Sequence, residues 1–376
     1  MSRIDLPTPV VHTGGAPAMP GRGCSCTDCA FWSGPSGQGG PATVEALCSG
    51  CNSDCSYCGC SRAEASAPVR ACARCPIRCP SRIDIGAWMG DVDGSLAFDD
   101  ISLTGRLPET LPAFTPQVDG SGIPELDAKL SWPAYAVGLR RVFSPQSHAI
   151  YRRFAGRSAR DVLGLRPAQL AVLACYGEDP LVEAFWTLRH RDALIEQIAA
   201  HDWDLVLAPN FSVYGNWPRI EHLLSMRRSL MMAAELNAAG LVAVPNVYWF
   251  RLEDLRRWAD WAADAEPPAI AVNAQTVREA ANWQSWLLPG LCWLAENLPP
   301  GLPVILTGLS RADRITTASE LFGDRLIVVS QNPYQYALHG AVMGPHGRQD
   351  IHARTPDAFA ATVEYMAGLL PERSGR

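Results

Sequence analysis

Lysine is almost absent from this chain, and no part of it is apolar over a long stretch. Of the 32 lysine and arginine residues only Lys129 is a lysine, so a single arginine is weak evidence for a site. No window approaches the roughly 18 consecutive apolar residues that a membrane helix needs. The formal net charge of −6 excludes a global basic field for nucleic acid or anionic lipid.

Other familiar signals are absent as well. The first residues contain no apolar stretch of the kind found in signal peptides, and no P-loop, dinucleotide-binding glycine fingerprint or Ser-His-Asp order is visible. We therefore expect a cytoplasmic protein without a membrane partner.

Cysteine is concentrated at one end of the chain. It occurs 13 times, and all but Cys175 and Cys292 fall before residue 80, in a cysteine block formed by Cys24, Cys26, Cys29, Cys48, Cys51, Cys55, Cys58, Cys60, Cys72, Cys75 and Cys79. Disulfide frameworks of this density belong to short secreted chains, whereas the same density at one end of a large intracellular chain favours metal binding. The odd number also argues against complete pairing. The block predicts a metal module.

Two spacings within the block favour iron–sulfur clusters of the 4Fe–4S kind, each held by three or four thiolates. Cys51, Cys55 and Cys58 have the Cys-x3-Cys-x2-Cys spacing that resembles the signature of radical S-adenosylmethionine (SAM) enzymes. Cys72, Cys75 and Cys79, followed by Pro80, resemble the end of a bacterial ferredoxin motif. The first resemblance implies SAM as a cofactor.

Zinc is the competing interpretation. Cys26, Cys29, Cys48 and Cys51 form one frame of paired Cys-x2-Cys motifs, and Cys55, Cys58, Cys72 and Cys75 form a second, so that two four-thiolate sites would close the module. Cys24, Cys60 and Cys79 would then have no role, so we prefer iron–sulfur. The arginines between Arg62 and Arg82 form a basic patch that would contact phosphate, which makes nucleic acid an alternative partner.

The rest of the chain indicates an α/β fold. Short apolar runs that suit buried parallel strands occur at Leu170–Ala174, Asp204–Ala208, Leu241–Pro245, Ala269–Val272, Pro303–Leu306 and Leu326–Ser330. Helices are predicted between them, over Pro218–Ala239, which Gly240 ends, and over Glu253–Ala265. Strands that alternate with helices predict a complete or partial (β/α) barrel, TIM-like, with an open doubly wound sheet as the alternative.

This pattern divides the chain into five parts. We expect a disordered segment over 1–23, the metal module over 24–82, a connector over 83–168, the barrel-like domain over 169–345, and a C-terminal helical tail over 346–376.

Polar residues follow the predicted strands. In a parallel barrel the carboxyl ends of the strands open on one face, where ligands bind. We expect Glu178 and Asp179 to be a catalytic acidic pair, and a polar or nucleotide-like ligand to contact Asn210, Ser212, Tyr214, Asn246, Asn273, Gln275, Thr307, Gln331 and Asn332. The alternative is that these are ordinary polar loop residues. His190 and His222 are expected on exposed helix surfaces, and Cys175 and Cys292 as buried thiols.

Several motifs in this region resemble a bacterial and phage family catalogued only as a domain of unknown function. They are Cys175–Pro180, Glu183–Trp186, Leu207–Tyr214, Pro218-Arg219, Arg227 and Val244–Trp249, and the resemblance covers about 170–340. The family usually has aspartate where this chain has Asn210, which removes a carboxylate. It carries no established activity, and its members often lack the cysteine block.

The radical SAM superfamily also uses a partial (β/α) barrel, and Tyr176-Gly177-Glu178 resembles a degraded form of its SAM-binding Gly-Gly-Glu motif. Its cysteine loop, however, normally follows the first barrel strand directly. The leading hypothesis is therefore an iron–sulfur protein acting as an enzyme, either radical SAM-like or with a structural or redox cluster. The alternative is a zinc-stabilised nucleic-acid-binding protein of mobile elements.

Overall fold

The computed structural model describes residues 89–120, 122–213 and 219–371. The predicted disordered segment, the cysteine block, the arginine patch and Tyr214 lie outside the described residues.

Parallel strands form two sheets. The first sheet has the order β1-β8-β7-β6 and the second the order β2-β3-β4-β5, and every pairing in both is parallel. The strands are β1 Phe114–Pro116, β2 Ala134–Gly138, β3 Leu170–Ala174, β4 Leu205–Leu207, β5 Ala243–Val244, β6 Ile270–Asn273, β7 Val304–Thr307 and β8 Leu326–Ser330. An antiparallel hairpin follows, with β9 Ala341–Gly344 and β10 Gly347–Asp350.

Helices connect the parallel strands. In chain order they are α1 Ile123–Asp127, α2 Ala159–Leu163, α3 Asp179–Leu188, α4 Leu194–Ala199, α5 Arg219–Ala238, α6 Leu252–Ala265, α7 Ala280–Asn282, α8 Leu288–Asn297, α9 Ala312–Phe322, α10 Asn332–Ala337 and α11 Thr355–Ala367. A π-helical turn, Trp283–Leu287, joins α7 to α8. Short apolar strands and amphipathic helices of this kind bury one another's apolar faces, which is why the two alternate.

Backbone contacts join the two sheets at both ends. Gln117 and Ala136 form an isolated parallel bridge between β1 and β2, and Asn246 and Ala271 form another between β5 and β6. At the first junction the Val118 amide donates to the Ala136 carbonyl at 2.8 Å, and at the second the Val247 amide donates to the Ala271 carbonyl at 2.7 Å.

The core consists of two clusters. One contains side chains from strands of both sheets, including Ala136, Val172, Leu207, Val244, Ala271, Ile305 and Val329. The other contains the opposite faces of the strands together with the helices that cover them. Side chains alternate between the two faces of a strand, so β2 to β8 contribute to both clusters, whereas β1 contributes Phe114 to the second one only. We call the first cluster the shared core.

The α/β class with parallel strands is confirmed, and each predicted apolar run overlaps a strand. Two strands were not predicted, because β1 and β2 lie inside 83–168, where the sequence suggested a connector. β1 is the three-residue strand Phe-Thr-Pro and β2 is Ala-Tyr-Ala-Val-Gly, and neither has the run of Val, Ile or Leu that marks a buried strand. The segment 346–376 contains β10 as well as the helix α11.

Helix α5 differs from the amphipathic helix that the sequence predicts. Its polar residues are buried together with its apolar ones, and His222, expected on an exposed surface, is 2 % exposed and contacts the Phe250 ring at 4.7 Å. The reason is that α5 is covered on more than one side: Arg227, for example, donates to the Ala97 carbonyl at 2.6 Å, far away in the sequence. His190 is 69 % exposed, as predicted.

Candidate functional site

Polar side chains lie where the strands end, on the face that carries the shared core. Leu170, Val172, Ala174 and Tyr176 belong to that core, and the same alternation continued along the other strands reaches Asn246 after β5, Asn273 in β6, Thr307 in β7 and Gln331 after β8. On β1, Phe114 belongs to the other cluster, so the next residue, Thr115, lies on the face of the shared core. The same alternation places Gln117 and Asp119 on that face. We define the polar rim as Gln117, Asp119, Tyr176, Asn246, Asn273, Thr307 and Gln331.

Asp119 joins three strand ends. Its Oδ2 accepts a hydrogen bond from Gln117 Nε2 at 2.8 Å and another from Gln331 Nε2, and its Oδ1 accepts one from the Gly138 amide at 2.6 Å. A side chain in place of Gly138 would bring a Cβ to 3.0 Å from Asp119 Oδ1, so glycine leaves room for this contact. The carboxylate therefore links β1 and β8 of the first sheet to β2 of the second.

Three rim residues have buried polar atoms without a hydrogen-bond partner in the described part of the chain. These atoms are Asn246 Oδ1, Thr307 Oγ1 and the Tyr176 hydroxyl, and their residues are 1 %, 2 % and 7 % exposed. An unsatisfied buried polar group costs about 1–3 kcal/mol. The rim thus presents hydrogen-bonding groups that the described protein itself leaves unused.

Tyr176 and Thr307 come from different sheets and lie near each other. Burial raises the pKa of Tyr176, while a smaller effect, hydrogen bonding with the nearby Thr307 hydroxyl, lowers it. Neither hydroxyl completes a hydrogen bond of normal geometry, so the two are close without satisfying one another. Because burial dominates, Tyr176 stays protonated at neutral pH and remains a hydrogen-bond donor.

The backbone holds Asn246 in place. The Ser229 hydroxyl of α5 donates to the Asn246 carbonyl at 2.7 Å, and the Asn246 amide donates to Ser229 Oγ at 3.1 Å. Asn273 is used differently, since its Oδ1 accepts from the Gln275 amide at 2.9 Å and closes a turn. Asn246 is therefore held through its main chain, with its side-chain oxygen left unpaired.

The predicted acidic pair lies at the start of α3. Glu178 is 76 % exposed on its side chain and pairs with Arg140 at 3.3 Å. Asp179, the first residue of α3, accepts a hydrogen bond from Ser212 Oγ at 2.6 Å. Both carboxylates follow Tyr176 after the chain has turned into α3, and this turn was not visible in the sequence. Their catalytic role remains a prediction.

The remaining predicted ligand residues have varied surroundings. Asn210 Oδ1 is buried without a partner in the described chain, Gln275 is exposed, and Asn332 Nδ2 donates to the Leu309 carbonyl at 3.3 Å. Gln117, Asp119 and Tyr176 were missed as site residues. The alternation of Tyr176 with Ala174 was the one signal that could have found it, whereas Gln117 and Asp119 follow a strand that the sequence did not reveal.

A groove of about 550 Å³ lies elsewhere, between α6 and the segment 97–102. Its described lining mixes acidic and basic side chains such as Glu253, Asp260 and Arg256, and contains none of the partnerless buried polar atoms. The rim is therefore the stronger candidate site.

Among residues 89–120, 122–213 and 219–371, no three or more His, Cys, Asp or Glu side chains are grouped so that they could hold a metal ion. The predicted metal ligands all lie outside those ranges. The thiols of Cys175 and Cys292 within them are free, and burial raises the pKa of both.

The fold and the rim define an α/β protein with parallel sheets and a polar cluster at the strand ends. No protein-family model matches the chain, and no curated protein matches it significantly. The resemblance to the domain of unknown function therefore stays a prediction. None of the helices in the described chain is long and apolar enough to cross a membrane.

Proposed function

We propose that the two sheets form one closed (β/α) barrel. The pairing of β1 with β8 joins the first strand to the last, and the bridges at Gln117 and Asn246 join the sheets on both sides. The shared core, which takes side chains from both sheets, would then be the barrel interior. In enzymes with this fold the active site lies at the carboxyl ends of the strands.

The function that this arrangement supports best is that of an enzyme that binds a polar ligand within the polar rim. The main support for this proposal is that Asn246, Thr307 and Tyr176 each have a buried polar atom without a hydrogen-bond partner in the described chain. Buried polar groups in proteins are generally satisfied, and a ligand with complementary groups would satisfy these three together. Asp119, hydrogen-bonded from three strands, supplies the carboxylate of the site.

The cysteine block is proposed to hold one or more iron–sulfur clusters with a structural or redox role. The block precedes β1, the first strand of the described chain, whereas the cysteine loop of radical SAM enzymes normally follows the first barrel strand. This order favours a non-radical cluster. Binding of nucleic acid by the segment 62–82, or of zinc by the block, is the competing proposal.

Replacement of Thr307 with valine tests the proposed site, because valine keeps the shape and removes only the hydroxyl. We expect Thr307→Val to leave the ligand-free protein equally stable or to stabilise it by about 1–3 kcal/mol. It should also weaken the binding of any compound that raises the thermal midpoint of the wild type. Urea unfolding and thermal-shift titration measure the two effects.

Thr362→Val is the matched control. Thr362 is fully buried like Thr307, but its Oγ1 accepts a hydrogen bond from the Met343 amide at 3.2 Å. This variant should lose about 1–3 kcal/mol and keep its ligand affinity. Equal destabilisation by both substitutions would mean that the Thr307 hydroxyl is satisfied within the protein, which would remove the basis of the proposal.

A further inference from the structure

The charge of the polar rim restricts its ligand. Asp119 is the one charged residue among the rim side chains as defined above, and the others are amides and hydroxyls. Asn246 Oδ1 is an acceptor without a donor in the described chain, and the Thr307 and Tyr176 hydroxyls can donate or accept. Sites for phosphate are usually built from arginine, lysine or clustered amide N–H groups. A rim with a carboxylate and no cationic member is poorly suited to phosphate.

Two arginines on the connections that follow the strands are paired with carboxylates. Arg140, after β2, pairs with Glu178 at 3.3 Å. Arg311, after β7, forms a two-point contact with Asp313 at 2.9 and 3.0 Å. Both guanidinium groups are already neutralised by carboxylates of their own surroundings.

Aromatic rings lie on two connections beside the rim. Tyr248 comes two residues after Asn246, and Trp286 lies on the connection that follows Asn273 and β6. Their ring centroids are 5.1 Å apart, and Trp249 stacks against Trp286 with a centroid distance of 5.0 Å and an interplanar angle of 30°. Tyr248 and Trp286 are both partly exposed.

Trp286 is also held in an unusual backbone. It belongs to the π-helical turn Trp283–Leu287, and such turns are rare and frequent at functional sites. Behind it, Trp249 packs so closely on α8 that a Cβ at Gly290 would lie 2.2 Å from the indole ring. The turn and the tight packing together set the position of Trp286.

We propose that the ligand of the polar rim is a neutral hydroxylated ring compound without phosphate, a sugar or a nucleoside. This inference rests on the proposed function of the rim. Hydroxyl or N–H groups of the ligand would donate to Asn246 and to Asp119, and the ring would pack against the Tyr248 and Trp286 aromatic faces. Because the ligand is uncharged, the carboxylates at this end of the sheets would not repel it.

The test is a thermal-shift and calorimetric titration of the full-length protein with monosaccharides, nucleosides and the monophosphate ester of each. We expect at least one neutral compound to bind and its phosphate ester to bind at least about tenfold more weakly. Affinity for the neutral compound should stay constant between low and high salt, because only interactions between charges are screened. Comparing the affinities for monosaccharides with those for nucleosides shows which class of ring compound the protein prefers.

Trp286→Ala should lower the affinity for that compound at least about tenfold, whereas Trp286→Phe should retain most of it. Trp293 is a partly buried tryptophan on α8. Trp293→Ala is therefore the control for a general effect of losing an indole ring. Equal losses in Trp286→Ala and Trp293→Ala, or no binding by any compound, would overturn the inference.

Failure of the neutral-ligand proposal can be distinguished from failure of the proposed function of the rim. Tighter binding of a phosphate ester than of its neutral parent, lost in Asn246→Ala, would refute the neutral ligand and support the rim as the site. Binding that Asn246→Ala and Thr307→Val both leave unchanged would refute both proposals.

Discussion

Buried arginines are the most distinctive residues of this protein. Arg228 of α5 is 1 % exposed and makes two hydrogen bonds to the Glu183 carboxylate of α3, at 2.9 and 2.6 Å. Its guanidinium lies 3.8 Å from the centroid of the Phe211 ring and 4.7 Å from that of Trp186. Charge pairing and aromatic packing both offset the cost of removing this cation from water.

Arg228→Met should therefore destabilise the protein by about 3–5 kcal/mol, because it leaves the Glu183 carboxylate buried without its principal partner. The exposed pair of Arg311 and Asp313 provides the control, and Arg311→Met should leave the stability almost unchanged because water screens an exposed ion pair. Urea unfolding monitored by tryptophan fluorescence compares the two. Similar losses would show that the Arg228 pair contributes no more than a surface contact.

Residue by residue, the sequence predicted the site unevenly. Asn246, Asn273, Thr307 and Gln331 could be chosen because each follows an apolar strand that is visible in the sequence, and all four lie on the rim. Asp119 could not be chosen, because its role depends on the pairing of β1 with β8, a contact between distant parts of the chain. The acidic pair of Glu178 and Asp179 is obvious in the sequence, and its catalytic role stays a prediction.

At the scale of elements, buried parallel strands were the easiest feature to predict. A strand such as β8, Leu-Ile-Val-Val-Ser, is buried on both faces and so consists of a continuous apolar run. β5 has only two residues, so the predicted run over 241–245 was longer than the strand. Beyond β5, Asn246 forms only an isolated bridge with Ala271. Helix ends followed local rules: Gly240 has a φ of +94° after α5, where glycine is favoured.

The turn after β7 offers a test of one such glycine. Gly308 has a φ of +75°, and a Cβ there would lie 2.5 Å from the Gln275 Cα, in the backbone of the turn after β6. We expect Gly308→Ala to cost more than the roughly 1–2 kcal/mol of the left-handed conformation alone, by about 1–3 kcal/mol of overpacking. Since Gly308 adjoins Thr307, ligand binding should weaken as well. Thermal unfolding and titration measure both.

Gly240→Ala is the matched substitution, since Gly240 also has a positive φ but an added Cβ would meet nothing within 4 Å. Gly240→Ala therefore measures the cost of the left-handed backbone conformation alone, without overpacking. If the two variants lose the same stability, the close approach of the β6 and β7 turns does not constrain the rim.

For the whole molecule, the main question is how the cysteine block relates to the proposed barrel. Its ligands are visible in the sequence as residue types, but spacing alone permits both iron–sulfur and zinc partitions, because each thiolate can serve either metal. The structure does not decide between them, because the cysteine block lies outside the described residues.

Anaerobic purification of the full chain should give a brown protein that contains iron and acid-labile sulfide. Reduction in the presence of SAM should not cleave SAM, because the order of block and barrel favours a non-radical cluster. Metal analysis, absorption spectra and chromatography of the SAM products provide the measurements. A colourless protein with about two zinc ions per chain would refute the iron–sulfur assignment, and cleavage of SAM would establish the radical chemistry.

The pairing of β1 with β8 also has a consequence for synthesis on the ribosome. Asp119 contacts Gln331, 212 residues later in the chain, so the polar rim cannot assemble until β8 and Gln331 have emerged. At about 5–20 residues per second, the first strand must wait many seconds with its edge unpaired. The nascent chain is therefore expected to need protection from aggregation during translation, and a ribosome-bound chain that stops before β8 should show no ligand binding.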